Sequence, residues 1–569
     1  MNNLNSNTNQ ILKYIKKYKK YQIILFCLFI TTMLLNLIYP FILKYLIDGV
    51  IIPKDTRLLT PIIFIGLLAA VIERYMAFIL NYKTKEYSNI AIKEEQKNMY
   101  MHLQRMPLDE YAKYSSGDIL TRTLSDTVQV ISVALKSIPL IIAQLIYGIV
   151  IALILITLNW QLALITFCSM PLYYMTLRSC TTQLQNTSKK ERDAYSKVNE
   201  SLREKLEGIH IIKALDKLNF FYTDFEKSIK LWIDESNKHS KIAIFIENIM
   251  ILIIKCTPIL ILGYGGFKTI NDKISFGTLF AFYTYVQMIY EPVRMINNNL
   301  IQLKSIKPQI IRIFEILNVK PENYTSGQDF PSPIKVEYCN IYFKYKDFLV
   351  LKGVNFKINK GEKIAIVGES GSGKSTIVNL LVRDYLPNEG DIKINNVQLK
   401  ELRLKDLRHN IFKVTHSDYL FNMSVKDNIL LGDNFSEEEI IEVLKAVKAY
   451  EFVMNLSECM DTIVGEKGKL LSEGQRQRLC IARALIRKPK VLILDEATSA
   501  IDSKTEDYIF NKIDKMNCIT ILISHRLATI KKADYILLLH NGQIIDSGTH
   551  EEMIKNNNVY QHILSSQLK

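Results

Sequence analysis

Six long apolar stretches dominate the first half of the chain. They lie at about 21–50, 58–82, 130–158, 161–180, 242–267 and 276–296. A helix needs about 20 mostly apolar residues to cross the hydrocarbon core of a bilayer. Each stretch reaches that length, so the pattern predicts six membrane-spanning helices.

The intervals between these stretches predict their orientation. Only Asn159 and Trp160 separate the third stretch from the fourth, whereas 83–127 and 181–241 are long, amphipathic and rich in Lys and Arg. Because basic segments stay on the cytoplasmic side, the long intervals are expected there, as helices that continue beyond the bilayer. Separate soluble helical domains are the alternative, but each interval runs directly out of a predicted span.

Lysines precede the first apolar stretch, among them Lys13, Lys16 and Lys17. A secretory signal peptide has a shorter apolar region and a small-residue cleavage site. We therefore expect this stretch to be retained as a span, with the N-terminus in the cytoplasm and the protein in the cell membrane as a multi-pass protein.

The pattern changes after residue 319. Residues 320–333 (KPENYTSGQDFPSP) combine proline, glycine and polar residues without periodicity, which predicts a linker between a membrane domain, 1–319, and a second domain, 334–569. In the second domain short apolar runs alternate with amphipathic helical stretches; the runs are VEYCNIYF, KIAIVGE, VLILDE, ITILIS and YILLLH. This alternation predicts an α/β domain with a largely parallel sheet.

Composition and charge support the membrane assignment. Apolar residues make up 48% of the chain, which excludes a disordered protein. Lys and Arg number 72 against 57 Asp and Glu, a net charge of +15 that fits loops facing an anionic cytoplasmic leaflet. A soluble nucleic-acid ATPase would have no use for six spans, so no nucleic-acid partner is expected. Eight cysteines without a CxxC pair indicate neither a disulfide framework nor a zinc site.

A glycine-rich loop carries the clearest chemistry. Gly368-Glu-Ser-Gly-Ser-Gly-Lys-Ser-Thr376 fits the pattern GxxxxGK[ST], follows the strand-like KIAIV and precedes the helical TIVNLLV. In such a loop backbone N–H groups surround phosphates, Lys374 reaches the β and γ oxygens, and Ser375 can bind Mg²⁺. The sequence therefore predicts a binding site for a nucleoside triphosphate.

A second motif supplies the complementary carboxylates. The apolar run Val491–Leu494 ends in Asp495 and Glu496. Asp495 is placed to hold the metal or its water shell, and Glu496 is placed to polarise an attacking water. A surface carboxylate at a strand end is the plainer interpretation of Glu496, and the paired motif argues against it.

Further motifs resemble the ATP-binding cassette (ABC) family. Leu471-Ser-Glu-Gly-Gln475 followed by RQRLCIARAL is similar to the family's signature motif, SAID at 499–502 to its D-loop, and Ser524-His525-Arg526 to its switch region. The membrane half resembles the six-span exporters at 115–127, 206–215 and 274–293. The resemblance implies a multi-domain half-transporter: an all-α membrane domain with six helices and long cytoplasmic extensions, fused to an α/β P-loop ATPase domain.

The resemblance also implies roles for individual residues. Glu496, His525 and Lys374 would be catalytic, and Ser375 and Asp495 would bind Mg²⁺. ATP would contact thirteen residues: Tyr345, Gly368, Glu369, Ser370, Gly371, Ser372, Gly373, Lys374, Ser375, Thr376, Ser472, Gly474 and Gln475. Because Ser472 caps a helix and can bind an anion, one γ-phosphate can use the loop and the signature together only if a second copy supplies the signature.

Two residues depart from the family pattern. His416 replaces a glutamine that contacts the metal, so a metal-ligand role for His416 stays open; plain replacement with little effect is the alternative. Glu473 replaces a glycine and would repel a phosphate unless its side chain points away. Such departures allow a heterodimer with unequal sites, but the retained Glu496, His525 and Ser472 favour a homodimer.

Export of a lipid, a drug-like compound or a hydrophobic peptide is the expected function, with membrane lipids as surroundings. Ionisable residues in the spans must face a cavity, a partner charge or the interface; they are Glu73, Arg74, Lys136, Glu247, Lys255 and Glu291. Tyr283, Tyr285, Met288 and Tyr290 either line an adaptable pocket or, as we expect for most, pack between helices. A membrane-tethered ATP-dependent sensor without net transport is the alternative function.

Overall fold

The computed structural model describes residues 17–332 and 334–567, with side chains for all of these except 177–182 and 565–567. Lys13 and Lys16 of the predicted cytoplasmic N-terminus, and Pro333 of the predicted linker, lie outside the described residues. The chain divides into two compact units. The membrane unit is Met1–Met101 with Ser116–Asn318, and the nucleotide unit is His102–Ser115 with Val319–Lys569.

The described residues up to 318 fold into helices. They are α1 (Lys19–Asn36), α2 (Ile38–Leu46), α3 (Thr56–Gln104), α4 (Leu108–Tyr111), α5 (Ser116–Leu120), α6 (Thr127–Leu158), α7 (Trp160–Glu207), α8 (Ile209–Ala214), α9 (Leu218–Ile270), α10 (Phe276–Ser305) and α11 (Lys307–Leu317), with π-helical turns at Ile47–Ile51 and Thr121–Asp126. Helices α3, α7 and α9 contain 49, 48 and 53 residues. At about 1.5 Å per residue each is more than twice the thickness of a hydrocarbon core of about 30 Å, which confirms the prediction of long helices that extend past it.

The predicted spans lie on these helices. Within the described residues, four helical segments are long and apolar enough to cross a membrane by length and composition: Lys19–Ile51, Thr56–Gln104, Ser116–Leu158 and Leu218–Ile270. They carry the first, second, third and fifth predicted spans. The fourth and sixth lie on α7 and α10, which are helical throughout but contain more polar residues.

Tyrosines of α10 lie in the core of the membrane unit. Tyr285 is fully buried and its hydroxyl donates to the Leu37 carbonyl at 2.6 Å. Tyr290 is 2% exposed and its hydroxyl donates to Thr257 Oγ1 at 2.9 Å, while Ser169 Oγ lies 2.6 Å away. Helix packing, the expectation for most of these aromatic residues, is therefore confirmed for Tyr285 and Tyr290.

Two sheets form the centre of the nucleotide unit. The strands are β1 (Lys335–Tyr345), β2 (Phe348–Asn359), β3 (Lys363–Val367), β4 (Glu389–Ile394), β5 (Val397–Gln398), β6 (Ile411–Thr415), β7 (Val491–Asp495), β8 (Ile519–Ile523), β9 (Tyr535–His540) and β10 (Gln543–Gly548). One sheet has the order β10-β9-β3-β8-β7-β6 and is parallel apart from β10. The predicted largely parallel sheet is confirmed in it.

The run VEYCNIYF corrects that prediction in one respect. It lies in β1, which pairs antiparallel with β2 and β4 in the separate sheet β2-β1-β4-β5. Only Lys346 and Asp347 separate β1 from β2. A connection of two residues can form a hairpin but cannot form the crossover that a parallel pair requires.

Helices of the nucleotide unit pack around the parallel sheet. They are α12 (Lys374–Leu381), α13 (Leu404–Asn410), α14 (Val425–Leu430), α15 (Glu437–Ala446), α16 (Tyr450–Met454), α17 (Glu473–Leu485), α18 (Ser503–Asp514), α19 (Leu527–Ile530), α20 (His550–Asn556) and α21 (Asn558–Gln567). The segment His102–Ser115, which the sequence placed in the membrane domain, belongs to this unit. The Glu322 N–H donates to the Arg105 carbonyl there at 2.6 Å.

Candidate functional site

The loop between β3 and α12 folds closely against its surroundings. Gly373 has a φ of 107°, in the left-handed region that favours glycine. A Cβ atom on Gly368 would lie 2.2 Å from the carbonyl oxygen of Leu539 in β9. The predicted strand, loop and helix are confirmed, and the loop ends at a helix N-terminus, where backbone N–H groups bind anions.

Lys374 is held across this loop. Its side chain is buried, and Nζ donates to the carbonyl oxygens of Gly368 at 2.8 Å and Glu369 at 2.7 Å. Burial lowers the pKa of Lys374, while the negative charges of Glu496 and Asp495 oppose that change. In the described part of the chain, the nearby buried Ser372 Oγ has no hydrogen-bond partner. A phosphate would supply acceptors for both groups.

Ser375 and Asp495 bring two oxygen atoms together. Ser375 Oγ donates to Asp495 Oδ1 at 3.5 Å. Burial raises the pKa of Asp495, and the positive charge of Lys413 opposes that rise. Among the described residues there is no group of three or more His, Cys, Asp or Glu side chains that could hold a metal. Two oxygens next to a phosphate loop nevertheless fit Mg²⁺, which binds few protein carboxylates together with phosphates and water.

Glu496 follows β7 in a strained backbone conformation. Its φ is +55°, and its N–H donates to the carbonyl oxygen of Ile523 at the end of β8 at 2.9 Å. Its Oε1 lies 3.1 Å from Nε2 of His525, and both side chains are nearly half exposed, at 41% and 47%. Because residues with positive φ cluster at functional sites, this carboxylate and imidazole form the best candidate for water activation.

Ser472 begins the signature helix α17 as the sequence predicted. Ser472 Oγ accepts from the Gln475 N–H at 3.3 Å, and Gln475 Oε1 accepts from the Ser472 N–H at 2.9 Å. Such a capping box satisfies two backbone donors of the first turn. A Cβ atom on Gly474 would lie 2.6 Å from the Ala500 carbonyl oxygen, so α17 packs directly on the segment 499–502.

The two residues that depart from the family pattern contact each other. His416 Nε2 lies 3.4 Å from Glu473 Oε1, and each side chain is about half exposed. His416 N–H donates to the Asp495 carbonyl at 3.1 Å. The Glu473 side chain is therefore directed at an imidazole. The metal-ligand role of His416 stays a prediction.

Sequence reasoning missed Gln477, the residue that joins these pieces. It is 3% exposed. Its Nε2 lies 3.1 Å from His416 Nδ1 and donates to Ser499 Oγ at 2.9 Å, while its Oε1 accepts from the Ala500 N–H at 2.9 Å. Gln477 faces inward between Arg476 and Arg478 of α17. The helical periodicity could have marked it as buried, but its partners depend on how α17 packs.

Tyr345 lies at the end of β1, in the antiparallel sheet. Its ring makes edge-on contacts with Phe343 and Tyr385, at centroid distances of 4.8 and 5.2 Å. The ring is partly exposed. An aromatic cluster of this kind can present a face on which the adenine of ATP could stack, and the contact of Tyr345 with ATP stays a prediction.

Comparison with known proteins places the two units in one family. Residues 22–293 match the ABC transporter transmembrane region, and residues 351–499 match the ABC transporter family of ATP-binding domains. "Putative multidrug export ATP-binding/permease protein SAB1799c" of Staphylococcus aureus (strain bovine RF122 / ET3-1) is 32% identical over 98% of this chain and 100% of its own length. The chain belongs to the ABC transporter family.

Two further proteins resemble the transporter along its length. "Putative multidrug export ATP-binding/permease protein YgaD" of Bacillus subtilis (strain 168) is 29% identical over 98% of each chain. A structure described as a bacterial Atm1-family ABC exporter with ATP bound matches with a TM-score of 0.81 at 23% identity, over 98% of the transporter and 99% of that chain. At this identity the second likeness concerns the fold.

Family membership confirms several predictions at once. The transporter is a membrane protein with a helical transmembrane domain and an ATP-binding α/β domain, and it couples ATP hydrolysis to export. One membrane region and one ATP-binding domain in a single chain is the architecture of a half-transporter, which functions with a second half.

Proposed function

We propose that this transporter exports an amphipathic or hydrophobic compound across the cell membrane by alternating access, as a homodimer. The N-terminus and the nucleotide unit would lie in the cytoplasm. The observation that carries the proposal is the Glu496–His525 pair, 3.1 Å apart, in a chain that also has helices of 49 and 53 residues with apolar spans. Such a chain combines a hydrolytic site with helices able to carry movement into the bilayer.

The catalytic roles follow from the positions of the side chains. Glu496 would accept a hydrogen bond from the attacking water and so increase the negative charge on the water oxygen. His525 would hold Glu496 in place through Nε2 and donate to the transferred phosphoryl group, and Lys374 would turn from the loop carbonyls to the β and γ oxygens. Mg²⁺ bound by Ser375 Oγ and Asp495 would supply neutralisation of those oxygens.

The signature motif supports the dimer. Ser472 and Gly474 lie at the N-terminus of the 13-residue helix α17, a site for an anion. The phosphate loop is a second anion site in the same unit. We infer that Ser472, Gly474 and Gln475 of one copy close over the nucleotide held by residues 368–376 of the other, with Tyr345 against the adenine. Two identical copies then form two identical sites.

Alternating access requires a difference in affinity between two shapes of the membrane unit. If a closed nucleotide dimer favours one shape of the attached helices, binding shifts the population towards it, and hydrolysis reverses the shift. The cargo side of the proposal rests on the names of the two relatives given above, each of which reads "Putative multidrug export ATP-binding/permease protein". A hydrophobic peptide is the alternative cargo.

Reconstitution in liposomes tests the proposal. With the nucleotide unit outside, addition of Mg·ATP should cause fluorescent lipids or drug-like dyes to accumulate in the lumen or the inner leaflet. Glu496→Gln should retain ATP binding, lower turnover by about a hundredfold or more, and give a stable dimer under saturating Mg·ATP. Glu442→Gln, which alters an exposed carboxylate on α15, is the matched control and should change nothing.

Three results would contradict the proposal in different ways. Undiminished hydrolysis by Glu496→Gln would refute the role of that carboxylate. A monomer under saturating Mg·ATP would refute the dimer. Nucleotide-dependent binding of a partner protein without accumulation of any lipid, drug or peptide would favour the sensor instead.

A further inference from the structure

A cavity of about 320 Å³ lies among four helices of the membrane unit. Its lining comes from α1, α3, α6 and α10, at positions inside the predicted spans. A volume of this order is at the lower end of the range of small-molecule sites, which are concave, largely apolar and equipped with a few convergent polar groups. The lining side chains therefore indicate what kind of molecule the cavity would accept.

Two carboxylates face this cavity. Glu73 of α3 and Glu291 of α10 belong to the lining, and the lining residues include no lysine or arginine. Each carboxylate has an arginine partner on its own helix: Arg74 Nη2 donates to Glu73 Oε1 at 3.0 Å, and Arg294 Nη2 donates to Glu291 Oε2 at 2.7 Å. Neither arginine belongs to the lining of the cavity.

The exposure of the charged groups supports this arrangement. The Arg74 side chain is 78% exposed, whereas that of Glu73 is only 16% exposed. The Arg294 side chain is 55% exposed against 38% for Glu291. In each pair the carboxylate is less exposed than its arginine, and only the carboxylate belongs to the lining, so the negative end of each ion pair meets the cavity. Carboxylates inside membrane-spanning helices are costly, and they commonly mark ion or substrate pathways.

Gln144 provides an independent indication of a ligand. It belongs to the lining from α6, is 6% exposed, and its Oε1 accepts no hydrogen bond from any described residue. A buried acceptor without a donor is destabilising. A ligand that donates a hydrogen bond into the cavity would remove this destabilisation, and a ligand with only acceptors would not.

The rest of the lining suits an apolar body. Met33 and Met288 contribute flexible thioethers from α1 and α10, and Tyr147 contributes an aromatic ring from α6. Methionine adapts to ligands of varied shape, and an aromatic face attracts a cation. Met288, unlike its neighbours Tyr285 and Tyr290, therefore does line a pocket.

We propose that this cavity binds cationic amphipathic compounds: the ammonium group meets Glu73, Glu291 and Gln144 Oε1, and the apolar body packs on Met33, Met288 and Tyr147. The inference rests on the proposed export function and narrows its cargo from amphipathic compounds in general to organic ammonium ions. Neutral lipids and anionic compounds lack either the positive charge or the N–H donors that this lining calls for.

Three probes with one body and different ends test the proposal. Phenylhexylammonium, phenylhexanol and phenylhexanoate share an arylalkyl chain and differ only in a cationic, neutral or anionic end. Binding to the full-length protein in lipid nanodiscs without nucleotide should be tightest for the ammonium, by about tenfold over the alcohol, as expected for one charge-assisted hydrogen bond. The ammonium should also stimulate ATP hydrolysis and accumulate in liposomes on addition of Mg·ATP.

Variants separate the contributions of the lining groups. Glu73→Gln with Glu291→Gln should remove the preference for the ammonium and leave phenylhexanol affinity unchanged, which also shows that the variant is folded. Gln144→Leu should weaken the two donors, ammonium and alcohol, and leave phenylhexanoate unchanged. Glu247→Gln is the matched control, because Glu247 is an exposed carboxylate of α9 outside the lining.

The outcomes distinguish this inference from the function on which it rests. Equal binding of the three probes, a preference that survives in the double variant, or an equal loss in Glu247→Gln would overturn the cationic site. ATP-dependent accumulation without charge preference would overturn the site and leave export standing. Ammonium-selective binding that depends on Glu73 and Glu291, without accumulation of any probe, would support the site and count against export.

Discussion

The sites of the two units of this transporter are formed by different parts of the chain. In the nucleotide unit, backbone groups of one short loop and the ends of adjacent parallel strands form the phosphate site, so the functional residues are close in sequence or fixed by strand order. In the membrane unit, the cavity is lined by side chains from four helices that are far apart along the chain. A phosphate loop formed by backbone groups tolerates few substitutions at its glycines. In the cavity, the contacts with a ligand would be distributed over many side chains.

Glycine substitutions should show the largest contrast between the units. Gly368→Ala places a Cβ atom 2.2 Å from the Leu539 carbonyl oxygen, which cannot move without disturbing β9. If this clash makes the free energy of nucleotide binding less favourable by about 2 kcal/mol or more, the affinity should fall at least about thirtyfold. A fluorescent ATP analogue measures this affinity. Gly266→Ala in α9 of the membrane unit meets nothing within 4 Å.

The Gly266→Ala variant is therefore the control for the loop variant. It should keep full ATP affinity and hydrolysis, because alanine also favours a helix interior more than glycine does. Thermal unfolding of both proteins separates loss of the site from loss of the fold. Normal nucleotide binding by Gly368→Ala would show that the loop can relax, and the contrast would disappear.

Sequence reasoning went further in the nucleotide unit for a physical reason. The strands ending at Val367 and Asp495 are buried runs, and parallel strands bring their carboxyl ends to one edge of the sheet. Loop and carboxylates could thus be placed together without a structure. The separate sheet that contains β1 could not be predicted, because its pairing depends on the hairpin at Lys346 and Asp347. The buried bridging role of Gln477 could not be predicted either, because it depends on the packing of α17.

Magnesium dependence should show the next largest effect. Asp495→Asn replaces one of the two oxygen ligands near the phosphate loop by a neutral amide oxygen. Loss of one charge-assisted contact of about 1.5 kcal/mol should raise the Mg²⁺ concentration for half-maximal hydrolysis by about tenfold. Titration of hydrolysis with MgCl₂ at constant ATP measures this shift.

An exposed aspartate provides the comparison for Asp495. Asp347→Asn, in the turn between β1 and β2, should leave the Mg²⁺ requirement unchanged. An unaltered requirement in Asp495→Asn, with hydrolysis intact, would show that the metal is held elsewhere.

The site of the membrane unit was harder to predict, because helices of similar composition bury different side chains. Spans could be located from length and polarity, but the depth of each side chain depends on which helices are neighbours. Tyr285 and Met288 are three positions apart on α10, yet the first is fully buried in the core and the second lines the cavity. Glu73 and Glu291 were singled out for their cost in hydrocarbon, and only packing shows that they share a cavity.

Removal of the hydrogen bonds of the Tyr290 hydroxyl should have a smaller effect, limited to the stability of the protein. Tyr290→Phe removes a hydroxyl that bonds to Thr257 and Ser169 on two other helices, and should lower the free energy of unfolding by about 1 kcal/mol. Thermal unfolding in detergent measures the change. Tyr283→Phe, at a partly buried ring of the same helix, is the matched control and should change stability by less. Equal effects would show that the hydroxyl bonds of Tyr290 contribute nothing specific.

The smallest effect concerns the contact between His416 and Glu473, the two side chains of the nucleotide unit that depart from the family pattern. Their separation is 3.4 Å and both are about half exposed, so their coupling should be about 0.2–1 kcal/mol. His416→Gln, Glu473→Gln and the double variant should therefore be non-additive in ATP turnover by up to about fivefold, and high salt should reduce that coupling because it screens exposed charges. Pairing His416→Gln with Glu466→Gln, an exposed carboxylate bound to Lys469, should give simple additivity. If both cycles are additive, the two departures from the family pattern act independently, and the contact between them does not influence catalysis.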